Sequence, residues 1–316
     1  MSDADLPLSI VLCTHRRAEL LAGVVRSLTE QDVASSRFEV LVVDNDHQPN
    51  AEVQAIVERH RPDMDIRYLH ETNIGLSHAR NSGGKAARSD YIAYLDDDVR
   101  VPSGYLAVIL RDLGEYAPDI CGGPYFPFYL DSKPVWFRDA YGTSSRGSGV
   151  RFLSDNEFLD GGNIVFQRKV LEEAGWFDAA YGMSGNRVWY GEETAVQMRA
   201  RQENPDIGIL YDSKAYVLHL VAARKMRVGF QLWMAYQLGR SQTYLWLPEP
   251  ERAQAMESAP MALPRIVLRL ISDALVGVLF RSRKRYPLWQ SYYCEHMSRW
   301  ARRLGNNVTL LMDRSA

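Results

Sequence analysis

The chain has few cysteines and no long apolar run. Its three cysteines, Cys13, Cys121 and Cys294, are far apart and form no Cys-x-x-Cys pair. An odd number of separated cysteines without a secretion signal indicates reduced thiols rather than a disulfide framework. An uninterrupted apolar stretch of about 20 residues, which a conventional membrane-spanning helix needs, is absent. These absences together predict a cytoplasmic protein.

A strong excess of either charge is also lacking. The formal net charge is −2, from 37 basic and 39 acidic residues, so no nucleic-acid partner is expected. The two signs are nevertheless unevenly distributed. From residue 261 to the end, ten Lys and Arg residues stand against three Asp and Glu residues, which places +7 on this tail and −9 on the rest. A basic tail of this kind favours an anionic surface.

The first hundred residues alternate between strand-like and helix-like patterns. Continuous apolar runs predict buried strands, and apolar residues at helical spacing predict the helices between them. The strands are predicted at 8–13, 38–43, 66–69 and 91–95, and the helices at 18–30, about 53–57 and 77–87. This rhythm predicts an α/β fold with a doubly wound, mostly parallel sheet flanked by helices. No Gly-x-Gly-x-x-Gly follows the first run, which disfavours a dinucleotide-binding enzyme.

The second half is less regular. The stretch 133–156 is rich in Gly, Ser and aromatic residues and predicts a long, adaptable loop, which in a compact domain is often functional. Beyond residue 224 the pattern is helical and aromatic, with no strand signal. The remaining predicted elements are helices at 102–116, 168–174 and 191–202, and strands at 163–166, 207–210 and 215–220.

Three adjacent carboxylates, Asp96, Asp97 and Asp98, directly follow the apolar run 91–95. They are expected where a buried strand ends at the edge of an open α/β sheet, and ligands bind at that edge in such sheets. A divalent cation held by carboxylates and completed by a phosphate-bearing substrate is one use of this cluster. A solvated acidic turn is the alternative.

Several motifs around this triplet occur in a defined order. They are Cys13-Thr14-His15-Arg16-Arg17, Val42-Val43-Asp44-Asn45, the segment 73–83 (NIGLSHARNSG), Tyr94-Leu95-Asp96-Asp97-Asp98, Gly161-Gly162-Asn163, Gly191-Glu192-Glu193-Thr194 and His219. The ordered set resembles the inverting nucleotide-sugar glycosyltransferases of family 2, which have the GT-A fold. The resemblance covers roughly residues 6–225. It implies a catalytic domain at 1–222, with a nucleotide-binding half at about 1–100 and an acceptor half at about 101–222, and a helical, basic C-terminal extension at 223–316.

The resemblance implies a set of donor-binding residues. These are Thr14, Arg16, Asp44, Arg80, Asp96, Asp97 and Gly162. Asp97 would contact ribose hydroxyls, while Asp96 mainly shapes the strand end. Thr14 has a structural alternative as an ordinary helix N-cap. Arg80, flanked by small residues, could instead form an ion pair with Asp44 or with the Asp triplet.

The resemblance also implies a metal site and a catalytic base. Asp98 would hold Mn²⁺ or Mg²⁺, with His219 as an additional ligand, and an imidazole ligand favours manganese. Glu193 would remove the proton from the acceptor hydroxyl, with Glu192 as the second candidate. Two acids that begin a helix also stabilise its N-terminus through the helix dipole, and this role can coexist with catalysis.

The acceptor side has weaker signals. Gly161-Gly162-Asn163 is expected beneath the donor sugar, where absent side chains leave room. Two roles are open for four aromatic residues, stacking on sugar rings or ordinary core packing: Trp136, Trp176, Trp189 and Tyr190. The loop at 141–149 could close over the donor.

The tail contains an apolar segment, 263–280, which is followed by four basic residues between 281 and 285. Within it, Arg265, Arg269, Asp273 and Gly277 are four apart and would form one polar stripe, with Arg269 and Asp273 able to pair. An amphipathic helix beside a basic cluster is typical of peripheral binding to an anionic membrane, here at the inner face of the cell membrane. Packing on the catalytic body or on a second subunit, as in a homo-oligomer, is the alternative.

The leading hypothesis is therefore a metal-dependent inverting glycosyltransferase. It would move a sugar from a nucleotide diphosphate donor, UDP- or dTDP-linked, to a hydroxyl of a saccharide or lipid-linked saccharide. One competitor is a haloacid-dehalogenase-type phosphatase. That class needs Asp-x-Asp-x-Thr/Val, whereas Arg100 occupies the last position, and it needs a nucleophile after the first strand, where Thr14-His15 stands. A catalytically degenerate GT-A scaffold at the membrane is the other competitor.

Overall fold

A computed structural model describes residues 6–183, 189–246 and 249–314. Its larger sheet, counted over these residues, has eight strands in the order β3-β2-β1-β4-β9-β6-β10-β8. Four of them are the predicted strands of the first half, and they pair in parallel. These strands are β1 Leu8–Thr14, β2 Phe38–Asp44, β3 Ile66–His70 and β4 Tyr91–Asp96. The predicted parallel, helix-flanked sheet is confirmed for this half.

Helices cover both faces of the sheet, which explains why the strands read as continuous apolar runs. Alternate residues of β1 point to opposite faces, so that Ile10 packs in one apolar cluster and Val11 in the other. Gly83 lies so close to β1 that an added Cβ would clash with Val11. The helices are α1 Ala18–Thr29, α2 Ala51–His60, α3 Leu76–Ala86, α4 Tyr105–Tyr116, α5 Arg168–Glu173 and α6 Glu192–Glu203.

The strands that follow β4 differ from the predicted pattern. The strand β9 Asn163–Gln167 runs antiparallel between β4 and β6. Four short strands were not predicted, because segments of two to four residues give little periodic signal: β5 Val99–Arg100, β6 Ile120–Gly122, β7 Tyr125–Phe128 and β8 Val150–Phe152. The last strands are β10 Ile209–Asp212 and β11 Val217–Leu220, two residues later at their starts than predicted.

A small second sheet has the order β5-β11-β7, with β5 at Val99–Arg100. In it, β11 runs antiparallel to β5, and His219 is the direct register partner of Val99. Because Val99 follows the Asp triplet, this pairing brings a residue from late in the chain beside Asp98. The sheet is thus the element that positions His219.

The chain divides into two compact units. The first comprises the sheets and α1–α6, and the second comprises 129–141, 188–191 and the residues from Val221 onward. The second unit therefore contains the predicted extension 223–316 and also takes in two segments that the sequence analysis placed in the catalytic domain. It is built on α7 Val228–Trp246, α8 Glu249–Leu279 and α9 Trp289–Arg314. Gly239 of α7 and Gly305 of α9 allow close backbone contact, since an added Cβ at either would clash with the other helix.

Within the described ranges, each helix is too short or too polar to cross a bilayer.

Glu39 forms a buried charged cluster at the start of β2. It is fully buried, its Oε1 accepts from Ser9 and from the Arg88 backbone N–H, and its Oε2 accepts from Arg67 and Arg88. Burial alone would raise its pKa, but the hydrogen bonds from Ser9, the Arg88 backbone and Arg67 outweigh it and lower the pKa. The charged form of Glu39 is therefore favoured by the fold.

We expect Glu39→Gln to lower the free energy of unfolding by about 2–3 kcal/mol. This is less than the cost of breaking a fully buried ion pair, because the side chains of Arg67 and Arg88 are each about one-third exposed. Because the pKa of Glu39 is lowered on folding, this stabilisation is complete above its unfolded pKa and is lost as pH falls through the folded pKa. Urea unfolding of both proteins between neutral and acidic pH measures it. Glu58→Gln, in an exposed ion pair on α2, is the control and should change little. An equal loss in both variants, or a difference that persists in acid, would contradict this account.

Candidate functional site

Three strands end together at one edge of the larger sheet. In the β1–β2 register Thr14 is opposite Asp44, and in the β1–β4 register Cys13 is opposite Asp96. Because all three strands are parallel, their carboxyl ends meet at the same edge. The sheet topology thus gathers the polar residues that the sequence carries after each of these strands.

Asp96, Asp98 and His219 form one group of ligand atoms. One oxygen or nitrogen of each lies within 4.8 Å of the others. The His219 ring is held by Asp98, with Nε2 3.3 Å from Oδ1, and it packs against the ring of Tyr125. Two carboxylates and an imidazole suit Mn²⁺ or Mg²⁺, and Asp98 and His219 are the two ligands predicted from the sequence. Asp96, predicted as a donor contact, lies in the same group.

Asp97 is not a member of this group and is buried in the protein. It is 1% exposed, accepts a 2.7 Å hydrogen bond from the Thr14 hydroxyl, and lies 2.6 Å from the guanidinium of Arg17. Burial raises the pKa of Asp97 to about 7, although Arg17 and Thr14 favour its charged form. The helix-cap alternative for Thr14 is wrong, since Arg17 is the residue before α1 and the Thr14 hydroxyl is used by Asp97.

Arg17 is a site residue that the sequence analysis quoted but assigned no role. Its guanidinium contacts two members of the triplet, Asp97 at 2.6 Å and Asp98 at 3.1 Å. The side chain is 43% exposed, so it reaches the acids from the solvent side. Arg17 therefore offsets part of the repulsion among the three carboxylates.

Asp44 is fully buried at the end of β2. Its Oδ2 accepts hydrogen bonds from the Asn50 backbone N–H and the Tyr68 hydroxyl, both at 2.7 Å. Its Oδ1 has no hydrogen-bond partner within the described part of the chain. A buried acceptor without a donor is costly, and a ring N–H of a nucleotide base would supply one.

Arg80 links the strand edge to α6. It is 3% exposed, and its Nη1 lies 2.7 Å from Glu192 Oε1 while Nη2 lies 3.3 Å from Asp96 Oδ1 and donates to the Gly161 carbonyl. Arg80 thus forms the ion pair that was the alternative to donor binding, with Asp96 of the triplet as one partner. Glu192 is a second partner that the sequence did not predict. A direct contact of Arg80 with the donor stays a prediction.

The two acids that begin α6 have different surroundings. Glu192 is buried and paired with Arg80, whereas the Glu193 carboxylate accepts a weak hydrogen bond from the Thr194 hydroxyl at 3.4 Å and one from its own backbone N–H. Burial, followed by the charge of Glu192, raises the pKa of Glu193 to about 8. A carboxyl group with this pKa can exchange a proton near neutral pH.

Gly161 and Gly162 lie between these acids and the strand edge. A Cβ on Gly162 would come within 2.6 Å of Asp96 Oδ2, and one on Gly161 would come within 3.3 Å of the Glu193 Cβ. The two glycines thus permit close approach here. Asn163 is fully buried and accepts from Tyr105 while it donates to the carbonyls of Pro124 and Ala215, so it holds the core rather than facing a ligand.

Asp160 is a second residue that the sequence analysis missed. It precedes the glycine pair, accepts from the Ser144 hydroxyl at 2.6 Å, and its charge contributes to the raised pKa of Glu193. Arg146 also reaches it, at 3.5 Å. Ser144 and Arg146 belong to the loop at 141–149, and these contacts fasten that loop beside the carboxylates.

The other predicted residues lie apart from the carboxylates. The Arg16 side chain is 65% exposed and forms a two-point ion pair with Asp46. Trp136 is buried in the aromatic core of the second unit, and Trp176 packs against the apolar cluster beside α3. Core packing therefore accounts for both tryptophans. Within the second unit, the Tyr190 backbone N–H donates to Ser241, and Arg240 stacks over Trp189.

Comparison with known proteins identifies the family. A sequence profile described as "Glycosyl transferase family 2" matches residues 9–175, more than half of the 316-residue chain. The chain therefore belongs to that family. The succinoglycan biosynthesis protein ExoM of Rhizobium meliloti (strain 1021) is 36% identical over 141 residues, which cover 44% of this chain and 45% of ExoM. The chain spans less than half of the length of the curated relatives it matches.

Solved structures show the same fold. Residues 1–349 of S. aureus TarS in complex with UDP give a TM-score of 0.53 at 16% identity, over 96% of this chain and 91% of that one. The mannosyltransferase PcManGT from Pyrobaculum calidifontis in complex with GDP-Man and Mn²⁺ gives 0.56 at 18% identity, over 95% and 86%. These likenesses confirm the predicted GT-A fold with a helical C-terminal region. The comparisons give no support to the phosphatase alternative.

Proposed function

We propose that this protein is a metal-dependent inverting glycosyltransferase that uses a nucleotide diphosphate-sugar. One observation carries the proposal: a possible metal site and a possible base lie near each other. The ligand atoms of Asp96, Asp98 and His219 are grouped at the sheet edge. Glu193 lies on the other side of Arg80 and of the glycine pair from this group. A leaving diphosphate needs positive charge, and an attacking hydroxyl needs a base. The residues for both tasks lie in the same unit.

The donor contacts follow from the strand edge. Asp44 Oδ1 would accept the ring N–H of uracil or thymine, which favours a UDP- or dTDP-sugar, and Thr14 and Asp97 would line the nucleoside pocket. A neighbouring fold is known in complex with UDP and another with GDP-Man and Mn²⁺, which supports a nucleotide-sugar donor without naming its base. Asp96, Asp98 and His219 would hold Mn²⁺ or Mg²⁺, which supplies positive charge for the departing diphosphate.

Glu193 would act as the base. Its carboxylate takes the proton from the acceptor hydroxyl as that oxygen attacks the anomeric carbon from the side opposite the diphosphate. Arg80 keeps Glu192 occupied in an ion pair, which leaves Glu193 as the acid free to move a proton. A single displacement converts an α-linked donor into a β-linked product, an outcome consistent with family 2.

We expect kcat/KM to rise with pH and to level off above about pH 8. A general base acts only when deprotonated, and burial together with the charge of Glu192 raises the pKa of Glu193 to about 8. The rate is measured at donor concentrations well below KM, where kcat/KM reports the pKa values of the free enzyme. Glu192→Gln removes the neighbouring negative charge and should shift the midpoint to lower pH. A flat profile from pH 6 to 9 would count against Glu193 as the base.

The direct test of the proposed function is a panel of UDP-, dTDP- and GDP-sugars with Mn²⁺, in which release of the nucleotide diphosphate is measured. One nucleotide class should be consumed, and chelation of the metal should stop the reaction. Consumption that is unaffected by chelation would contradict metal dependence.

The acceptor and the cellular setting are proposed more broadly. ExoM is a succinoglycan biosynthesis protein, which supports a saccharide or lipid-linked saccharide acceptor. The basic segment 261–316 supports a cytoplasmic protein that associates peripherally with an anionic membrane. A homo-oligomer remains the alternative use of that segment.

A further inference from the structure

The outward side of α8 is apolar. Six residues of this helix are large, hydrophobic and 41–66% exposed, and together they are called the α8 apolar face: Val267, Leu268, Ile271, Leu275, Val278 and Leu279. At 3.6 residues per turn they fall within one arc of about 120°. An exposed apolar strip of this length is unusual on a water-exposed surface and marks an interaction site.

The opposite side of α8 is fixed against α9. Ile266 is buried, and Gly277 lies so close to Tyr292 that an added Cβ would come within 2.6 Å of its ring. Asp273 accepts from the indole N–H of Trp300 at 2.8 Å and from Arg299. These contacts set the rotation of the helix about its axis. The apolar face is therefore held outward within the second unit.

This orientation corrects the predicted polar stripe. Residues four apart advance by about 40° around a helix, so the stripe drifts from one side to another. Arg265 and Arg269 are exposed along one edge of the α8 apolar face, whereas Asp273 and Gly277 have rotated into the contact with α9. Asp273 pairs with Arg299 rather than across a turn with Arg269.

Basic residues border the apolar face. Arg283, Lys284 and Arg285 are exposed directly after α8, beside the exposed aromatic rings of Phe280 and Trp289. Along the flank, Arg265 and Arg269 line a cavity of about 430 Å³ together with Arg303, Trp300 and Asn307. Asp273 is the one acidic residue between 264 and 285, and it faces α9.

We propose that the α8 apolar face and its basic border form a docking surface for an anionic lipid bilayer. The apolar side chains would enter the boundary between headgroups and acyl chains, and the arginines and Lys284 would meet lipid phosphates. Phe280 and Trp289 suit this position, because exposed aromatic side chains are typical of the membrane-facing side of interfacial segments. The inference deepens the peripheral association that is part of the proposed function, because it names the surface.

A second copy of the chain fits this surface less well. A two-fold contact places a patch against itself, so the basic border of one copy would approach that of the other. An anionic bilayer instead complements both the charge and the apolar strip. Since no described helix spans a bilayer, the surface would lie in the interface rather than cross it.

Co-sedimentation of the full chain with phosphatidylcholine vesicles, with and without phosphatidylglycerol, tests the proposal. Binding is expected to the anionic vesicles only and to weaken at high salt. Neutralising Arg283, Lys284 and Arg285 together to Gln should weaken binding on the order of 100-fold. The matched control replaces three exposed arginines of the first unit, Arg26, Arg37 and Arg59, by Gln and should change binding less than about threefold.

The apolar contribution has its own pair of variants. Leu268→Ser, Ile271→Ser and Leu275→Ser together should abolish binding, while Leu130→Ser with Val135→Ser, two exposed apolar residues elsewhere in the same unit, should not. Circular dichroism and calorimetry of UDP with Mn²⁺ confirm that each variant is folded. The proposal is overturned if the wild-type protein does not bind anionic vesicles. It is also overturned if the wild type forms dimers and the triple Ser variant is a monomer. Failure of the wild type to bind UDP, dTDP and GDP in the presence of Mn²⁺ would instead reject the proposed function and leave the vesicle result standing.

Discussion

Glu193→Gln should lower turnover by about 10²–10⁴, the usual loss when a positioned general base is removed, and should leave UDP binding nearly unchanged. The amide keeps the shape of the side chain but cannot accept the hydroxyl proton. Since the ion pair of Glu192 with Arg80 is untouched, the fold around α6 should persist. Transfer kinetics and calorimetry with UDP and Mn²⁺ measure the two effects separately.

Two further variants test whether this loss is specific to Glu193. Glu203→Gln, an exposed residue of the same helix, makes the same chemical change and should have no effect on either measurement. Glu192→Gln should lower the stability of the protein, because it leaves Arg80 buried with one fewer partner. If Glu192→Gln stopped turnover at unchanged stability while Glu193→Gln remained active, Glu192 would be the base.

Asp98→Ala should weaken Mn²⁺ binding by about 100-fold or more, since loss of an outer-shell partner of a metal ligand already costs 10–100-fold. Metal-dependent UDP binding should be lost with it. The change removes one of three grouped ligand atoms and also frees His219 from its 3.3 Å contact. Electron paramagnetic resonance of free Mn²⁺ measures the metal directly, without any need for turnover.

The control for this variant lies beside the other end of β4. Asp90→Ala, an exposed acid just before β4, removes one negative charge at the opposite end of the strand and should leave Mn²⁺ binding unchanged. His219→Gln should give a smaller loss than Asp98→Ala, because a neutral ligand is exchanged for another polar group. Equal Mn²⁺ affinity of Asp98→Ala and wild type would reject the metal site.

The first half of the fold could be predicted because its signals are local. The strands β1, β2 and β4 are mostly apolar runs, and Asp44 and Asp96 stand directly at strand ends. Parallel pairing then requires these ends to meet at one edge. The order of the motifs, rather than any one of them, identified the family, and the family profile matches residues 9–175.

The parts that could not be predicted depend on contacts between distant residues. Arg80 and Glu192 are 112 positions apart, and no local pattern signals that they pair. The position of His219 depends on β5 and β11, two short strands with little periodicity. Arg17 could have been noticed, since two adjacent arginines follow the first strand beside the expected acids. The rotation of α8 was missed because four-residue spacing drifts around the helix axis.

Calorimetric titration of the wild-type protein with UDP, dTDP and GDP, each with and without Mn²⁺, tests the central claim most directly. The arrangement of Asp44, Asp98 and His219 predicts that UDP or dTDP binds when Mn²⁺ is present and that binding is lost when the metal is chelated. Failure of all three nucleotide diphosphates to bind with Mn²⁺ would contradict the claim that this sheet edge is a metal-dependent nucleotide-sugar site.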